Sequence, residues 1–430
     1  MAQYLVTGGN PLSGHVSISG NKNSVLKLMA ATILTKGTCT IRNVPNINDV
    51  SVMAEILTSL GATVTGLGTS ALSINTTNVQ SSTVSPEMAT KLRASLVLLA
   101  PLLVRFGQVK LGLPGGDTIG KRAFNTHLDA LSSFGINFEI TADFILGKCP
   151  PLPSDKISVF LDETSVTATE NVLMFAACQG VTTTIQNAAC EPHVIDLENF
   201  LIQMGAQISG VGSNTVIVTG TVSPKPVEFS VGPDYIDAGT FAIAAAATNG
   251  SITLSPVLPD EMQMILLFLS RFGVKYSWPK PDTLQIHPSS LSVDPEKLGI
   301  RQKFQTRPWP GFPTDLMSPL IVLATQAQGS VLMHDWMYET RMFFTDKLVS
   351  MGANITLCDP HRVIISGPTK LQARHTSSPD IRAGMSILIA SLCATGQSTI
   401  DHVEIIERGY ENPVERLCAL GAKISRTQIA

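Results

Sequence analysis

Charged residues make up only 15% of this 430-residue chain, so the places where cations gather are informative. Lys22 (SISGNKNSVLKL), Arg93 (TKLRASLVLLAP), Arg122 (GDTIGKRAFNTH), Arg341 (YETRMFF), Arg382 (PDIRAGMS) and Arg408 (IERGYENP) each sit near the start of a helix that the pattern predicts. A guanidinium there opposes the helix dipole unless an anion shares the position. Taken one at a time, each could pair with a local acid: Asp380 for Arg382, Glu407 for Arg408, Glu339 for Arg341. Taken together, six cations from five parts of the chain describe a site for a small, multiply charged anion.

Two carboxylates add reactive options. Asp117 lies in LPGGDTIGKR, where Pro114, Gly115, Gly116 and Gly120 predict a loop rather than a packed element. It reads equally as a solvated loop residue or as a catalytic acid. The loop is not a phosphate-binding Walker sequence, because GK[ST] is missing. Asp315, in PGFPTDLMSP, sits at a predicted helix start. It could cap that helix and still face a ligand. Among eight histidines only His127, close to the glycine loop, stands out.

Elements that could position these residues recur six times. Each unit runs from an apolar helix through a glycine to a β-branched strand, then from an amphipathic helix through a second glycine to another strand. The first glycines are Gly37, Gly107, Gly180, Gly250, Gly329 and Gly396, and the second are Gly61, Gly135, Gly205, Gly273, Gly352 and Gly421. Each glycine is expected to end its helix in the left-handed region that a Cβ resists. The period of about 70 residues exceeds that of common solenoids. Six βαβαββ-like units divide naturally into two groups of three, and VEFSVGPDYIDAG, between the third and fourth units, reads as a strand at a crossing point. The expected class is α/β, with two domains: residues 22–231, and residues 1–21 with 232–430.

Composition narrows the function further. A net charge of −3 gives no electrostatic case for nucleic acid or an anionic membrane. Mean hydropathy is positive, but runs such as SLVLLAPLLVRF and MSILIASLCA fall short of the roughly 18 residues a span needs, so they predict buried helices. The start, MAQYLVTGG, has no basic segment followed by an apolar one, so no signal peptide is expected. Seven scattered cysteines without CxxC spacing suggest reduced cytoplasmic thiols, mostly in the core, rather than disulfides or a metal site.

Several segments, in order and over essentially the whole length, resemble the UDP-N-acetylglucosamine 1-carboxyvinyltransferase family of enolpyruvyl transferases. They are SISGNKN, IRNVPNINDV, LRASLVLLAPLLVRFG, LPGGDTIGKR, SVTATENVLMFAA, NAACEPHVIDLENFL, FPTDLMSP, YETRMFF, DIRAGMSILIA and IERGY. The resemblance implies a two-domain inverted α/β barrel with three repeats per domain and a substrate cleft between the domains. It implies transfer of the enolpyruvyl group of phosphoenolpyruvate to UDP-N-acetylglucosamine in peptidoglycan synthesis. No metal and no cofactor are implied, and a cytoplasmic monomer is expected.

By the same resemblance, Lys22 and Asn23 meet phosphoenolpyruvate and the sugar, and Arg93, Arg122, Arg341, Arg382 and Arg408 surround the anionic groups. Asp315 contacts the sugar 3-hydroxyl as base, and Asp117 is the acid. Arg122, Ala123, Phe124, Asn125 and Thr126, with Glu163, Thr164, Ser165 and Val166, match the stretches that hold the uridine diphosphate, and Met337 a further nucleotide-sugar contact. Three positions depart from the family pattern: Asp117 replaces the usual cysteine, Glu163 a usual lysine, and Asn125 a usual aspartate. The first implies resistance to fosfomycin, which alkylates that cysteine. The other two leave a different uridine nucleotide such as UMP as an alternative; from a different class, the alternative is a catalytically silent nucleotide-sugar-binding relative.

Overall fold

A computed structural model describes residues 2–116, 120, 123–293 and 303–428. Its chain forms two compact units, one built from Met1–Ser19 and Pro233–Ala430. The other comes from the intervening chain, leaving aside the largely undescribed residues 117–122. Each unit has its own apolar core.

Six inner helices carry the first half of each repeat: α1 (Lys22–Ala31), α2 (Leu99–Phe106), α3 (Val166–Ala176), α4 (Tyr235–Ala247), α5 (Met317–Gln326) and α6 (Ile381–Cys393). They read as apolar on every side because they are buried on nearly every side; all thirteen residues of α4 are buried. Helix starts are fixed by short polar side chains. Asn21 accepts from the backbone N–H groups of Asn23 and Ser24, Asp234 from those of Ile236 and Asp237, and Asp380 from those of Arg382 and Ala383.

Around the helices the described residues form six four-stranded sheets with one shared plan: a parallel pair, then two antiparallel neighbours. Strands alternate buried and exposed residues, as in Lys156–Phe160 and Thr215–Thr219, so one face of each sheet lies on the core. Helices inside and sheets outside make this the inverted α/β architecture.

Each unit of three repeats closes on itself. In the 20–232 unit, Glu228–Ser230 follows the third repeat and pairs in parallel with Thr38–Arg42 of the first. In the other unit the closing strands come from the start of the chain. Ala2–Thr7 lies between Gln397–Asp401 and Lys423–Gln428, and Ser13–Ser17 pairs in parallel with Ser251–Ser255.

Several local expectations change. VEFSVGPDYIDAG is not one strand: Glu228–Ser230 is its strand, and Asp234 caps α4, which starts at Tyr235. Eleven of the twelve repeat glycines have positive φ, and the exception is Gly250, where the preceding Asn249 takes φ 53° instead. A Cβ at Gly250 would press on the Leu12 backbone, so glycine there serves close approach. The run after Leu92 begins as a 3-10 turn, Arg93–Leu98, before α2. None of the described cysteines forms a disulfide, and Cys358 is exposed rather than in the core. No described helix is long and apolar enough to cross a membrane.

Candidate active site

In the 233–430 unit the polar residues converge on Asp315. It lies inside a 3-10 turn, Thr314–Leu316, that runs into α5, so it does not cap the helix as its position suggested. Arg341 donates from Nη2 to Asp315 Oδ1 at 3.2 Å, and Arg382, in the first turn of α6, donates from Nε to Oδ2 at 3.0 Å. Both arginines reach past their sequence neighbours, across 26 and 67 residues. Both are buried, whereas the Asp315 side chain keeps 29% exposure. The Arg382 guanidinium also stacks 5.0 Å from the ring of Tyr410, which is buried and hydrogen-bonded to Thr240.

Burial works against the charge of Arg382, yet Tyr410, Asp315 and Asp234 outweigh it and hold its pKa well above the ordinary arginine value. For Arg341 too, burial is outweighed by Asp315 and Asp335. These carboxylates, with the Asp380 cap, offset the unfavourable placement of a cation at the start of α6. Arg341 keeps spare capacity: its Nε and Nη1 are buried without a hydrogen-bond acceptor among the described residues. A buried guanidinium with unused donors suits an incoming anion.

Asp335 was missed in the sequence. It is fully buried and accepts hydrogen bonds from Thr306, Thr314 and the backbone N–H of Met337, with Arg341 Nε 3.9 Å away. It thereby orders Met337, Arg341 and the turn that carries Asp315. The available signal was an acid directly after the apolar strand Gly329–His334 in a chain poor in charge. Arg408 follows the four-residue helix Glu404–Glu407 instead of starting one. The adjacent Glu407 accepts from Tyr4 and Arg426.

In the 20–232 unit, Lys22 opens α1 and its ammonium meets Asp49 Oδ2 at 2.8 Å, with both side chains buried. Asp49 is a second residue the sequence reading missed. Asn23 lies in the first turn of α1, and Arg93 donates to the backbone carbonyl of Ala123 at 3.4 Å. Phe124 precedes the helix Asn125–Ser132, and Thr126 donates to Glu163 Oε1 at 3.3 Å. The stretches 123–126 and 163–166 therefore meet. Thr164 donates to Asn187, and Ser165 caps α3, whose first residue is Val166.

His127 holds this junction from beneath. The Asn171 amide donates to its Nδ1, which fixes the proton on Nε2, facing Thr167 at 3.0 Å. Burial, aided by Arg93, pushes its pKa down to about 3, so the ring is a neutral scaffold and not a proton carrier at neutral pH. Asp117 and Arg122 lie outside the described residues. Among the described residues no cluster of His, Cys, Asp and Glu could hold a metal ion.

Comparison with known proteins adds an independent line. Residues 6–417 match the family model described as EPSP synthase (3-phosphoshikimate 1-carboxyvinyltransferase). A UDP-N-acetylglucosamine 1-carboxyvinyltransferase of Bradyrhizobium diazoefficiens is 43% identical over 99% of this chain and 98% of its own length. That of Treponema denticola is 42% identical over 99% of each chain. Among solved structures, the enolpyruvyl transferase NikO from Streptomyces tendae superposes with a TM-score of 0.87 at 24% identity, covering 100% of this chain and 99% of its own. EPSP synthase from Acinetobacter baumannii reaches 0.73 at 17% identity with full coverage of both chains. At those identities the two structures speak for the fold alone.

Proposed function

The chain belongs to the UDP-N-acetylglucosamine 1-carboxyvinyltransferase family, and from that premise we propose that it transfers the enolpyruvyl group of phosphoenolpyruvate to the 3-hydroxyl of UDP-N-acetylglucosamine. Phosphate is released, and the product enters peptidoglycan synthesis as its first committed intermediate. The reading is of a monomeric cytoplasmic enzyme that uses neither metal nor cofactor.

The observation that carries the reading is the carboxylate of Asp315 held between two buried guanidiniums, one of which has N–H donors to spare. Addition forms a bond from the sugar 3-oxygen to C2 of phosphoenolpyruvate while a proton arrives at C3. Elimination then removes a proton from the new methyl group and breaks the C2–O bond to phosphate. Asp315 is the group assigned to the 3-hydroxyl proton and Asp117 the acid assigned to C3. Lys22, Asn23, Arg93, Arg122, Arg341, Arg382 and Arg408 are assigned to the carboxylate, phosphate and sugar, where fixed cations stabilise charge without reorganising. Ala123, Phe124, Asn125, Thr126, Glu163, Thr164, Ser165, Val166 and Met337 are assigned to the nucleotide sugar.

The test is phosphate release from labelled phosphoenolpyruvate with UDP-N-acetylglucosamine or UMP as acceptor. Faster turnover with UDP-N-acetylglucosamine is expected. Preference for UMP would move the enzyme to another nucleotide, and no release with either, despite binding, would make it a silent relative.

A further inference from the structure

Two buried charges lie outside the residues assigned to chemistry. Lys27, one turn below Asn23 on α1, donates from Nζ to the backbone carbonyl of Asn23 at 3.0 Å. The same ammonium lies 3.4 Å from Glu170 Oε1 on α3, with side-chain exposures of 5% and 0%. Neither Glu170 oxygen has a well-formed hydrogen bond among the described residues, so Lys27 is its main compensation. Such a pair gives little net stability, because two ions lose hydration and too few hydrogen bonds replace it. What it does supply is a fixed distance. α1 begins with Lys22 and Asn23, and α3 begins where Glu163, Thr164 and Ser165 end.

We propose that Lys27 and Glu170 are positioning residues that set the first turn of α1 against the first turn of α3, and so align the Lys22–Asn23 pair with the 163–166 stretch for the nucleotide sugar. The inference rests on the function proposed above. Lys27 acts through the Asn23 carbonyl and Glu170 through Lys27, and neither touches a reacting atom in this assignment. Burial, opposed by Lys27 and assisted by Glu191, raises the pKa of Glu170 to about 7. Lys27 from α1 and Glu191 from the turn before Pro192–Met204 are the charged groups that act on it. The alignment should therefore tighten as pH rises through 7, when Glu170 ionises.

The test measures KM and kcat, calorimetric affinity for UDP-N-acetylglucosamine and melting temperature from pH 6 to pH 8.5. It compares wild type, Glu170→Gln and the apolar double variant Lys27→Met/Glu170→Leu. Wild-type KM for the nucleotide sugar is expected to fall as pH rises through 7. In Glu170→Gln that change should vanish and KM should be raised about tenfold at pH 8, with kcat altered less than threefold. The double variant should match or exceed the wild-type melting temperature and still keep the raised KM and weakened affinity. A merely structural pair predicts the reverse, with KM restored alongside stability, and that result would overturn the proposal. So would an unchanged pH dependence in Glu170→Gln. Wild-type protein that binds the nucleotide sugar but releases no phosphate would instead sink the proposed activity, while the affinities would still judge the pair.

Discussion

The two units hold buried cations inside a low-charge protein in different ways. In the 233–430 unit the solution is cross-bracing. Asp315 takes one guanidinium on each oxygen, and Asp335 sits behind Arg341 with three hydrogen bonds of its own. In the 20–232 unit two amines each pair with a buried carboxylate, Lys22 with Asp49 and Lys27 with Glu170, while Arg93 reaches the Ala123 carbonyl. Beside the 123–126 and 163–166 stretches there lie neutral groups: Asn171, Thr167 and an uncharged His127. A braced cluster shares the loss of one member among the rest. A single buried pair does not, so equal chemical deletions should have unequal structural costs.

The largest effect should come from neither brace but from Asp117, the proposed proton donor. Asp117→Asn should lower kcat by about 10²–10⁴, the range for a positioned acid or base, with binding of the nucleotide sugar preserved. Asp117→Cys should stay active and become time-dependently sensitive to fosfomycin, because a thiolate attacks an epoxide far better than a carboxylate does. Wild type should survive the same preincubation. Rapid covalent inactivation of wild type, or full turnover by the asparagine variant, would remove Asp117 from the role and leave the braces to explain catalysis.

Next comes the direct contrast of Asp315→Asn with Lys22→Ala. Asp315→Asn, which removes the proposed base, should cut kcat roughly 10²–10³-fold, the lower part of the range for a positioned acid or base. It should lower the melting temperature only modestly, because Asp335 and Tyr410 still accompany the two guanidiniums. Lys22→Ala should also cost turnover, and it removes the buried ammonium 2.8 Å from Asp49. Breaking such a pair costs about 3–5 kcal/mol. Equal melting shifts for the two variants would erase the distinction between braced and single pairs.

The smallest effect tests the neutral scaffold. His127 falls from 6.5 to about 3 on folding, so its stabilising contribution is present above pH 6.5 and is lost as pH drops toward 3. Between pH 7 and pH 5 the stability advantage of wild type over His127→Gln should shrink by about 2 kcal/mol, read from urea midpoints. Glu170 and Glu198, both raised to about 7 by burial, act in the opposite sense over pH 4.5 to 7, so the variant comparison is needed and the wild-type curve alone will not serve. A constant difference across that range would mean that His127 can charge in place.

What the sequence made legible follows from how local each cause is. The repeats were visible because a helix, its glycine cap and the next strand are neighbours in the chain, and even the exception at Gly250 moved the left-handed residue by only one place. Cations near helix starts were visible for the same reason. Their partners were not. Arg341 and Arg382 converge on Asp315, and Lys22 on Asp49, through contacts set by which helices pack together, and no local spacing encodes that. Likewise, Lys27 and Glu170 looked like ordinary polar positions in apolar helices, and the closing role of Ala2–Thr7 depends on strands some four hundred residues away.

That closing strand has a bearing on how the protein comes into being. Ala2–Thr7 is synthesised long before both of its neighbours, Gln397–Asp401 and Lys423–Gln428. At about 5–20 residues per second the strand waits on the order of tens of seconds for its partners. Meanwhile all the residues of the 20–232 unit have been synthesised, and that unit can close its own ring of repeats. A nascent strand reading AQYLVT, with both edges unpaired, is the kind of segment that other chains can capture. Aggregation during synthesis should therefore concentrate on the unit that holds both ends of the described chain, and slowing translation after residue 232 should worsen it.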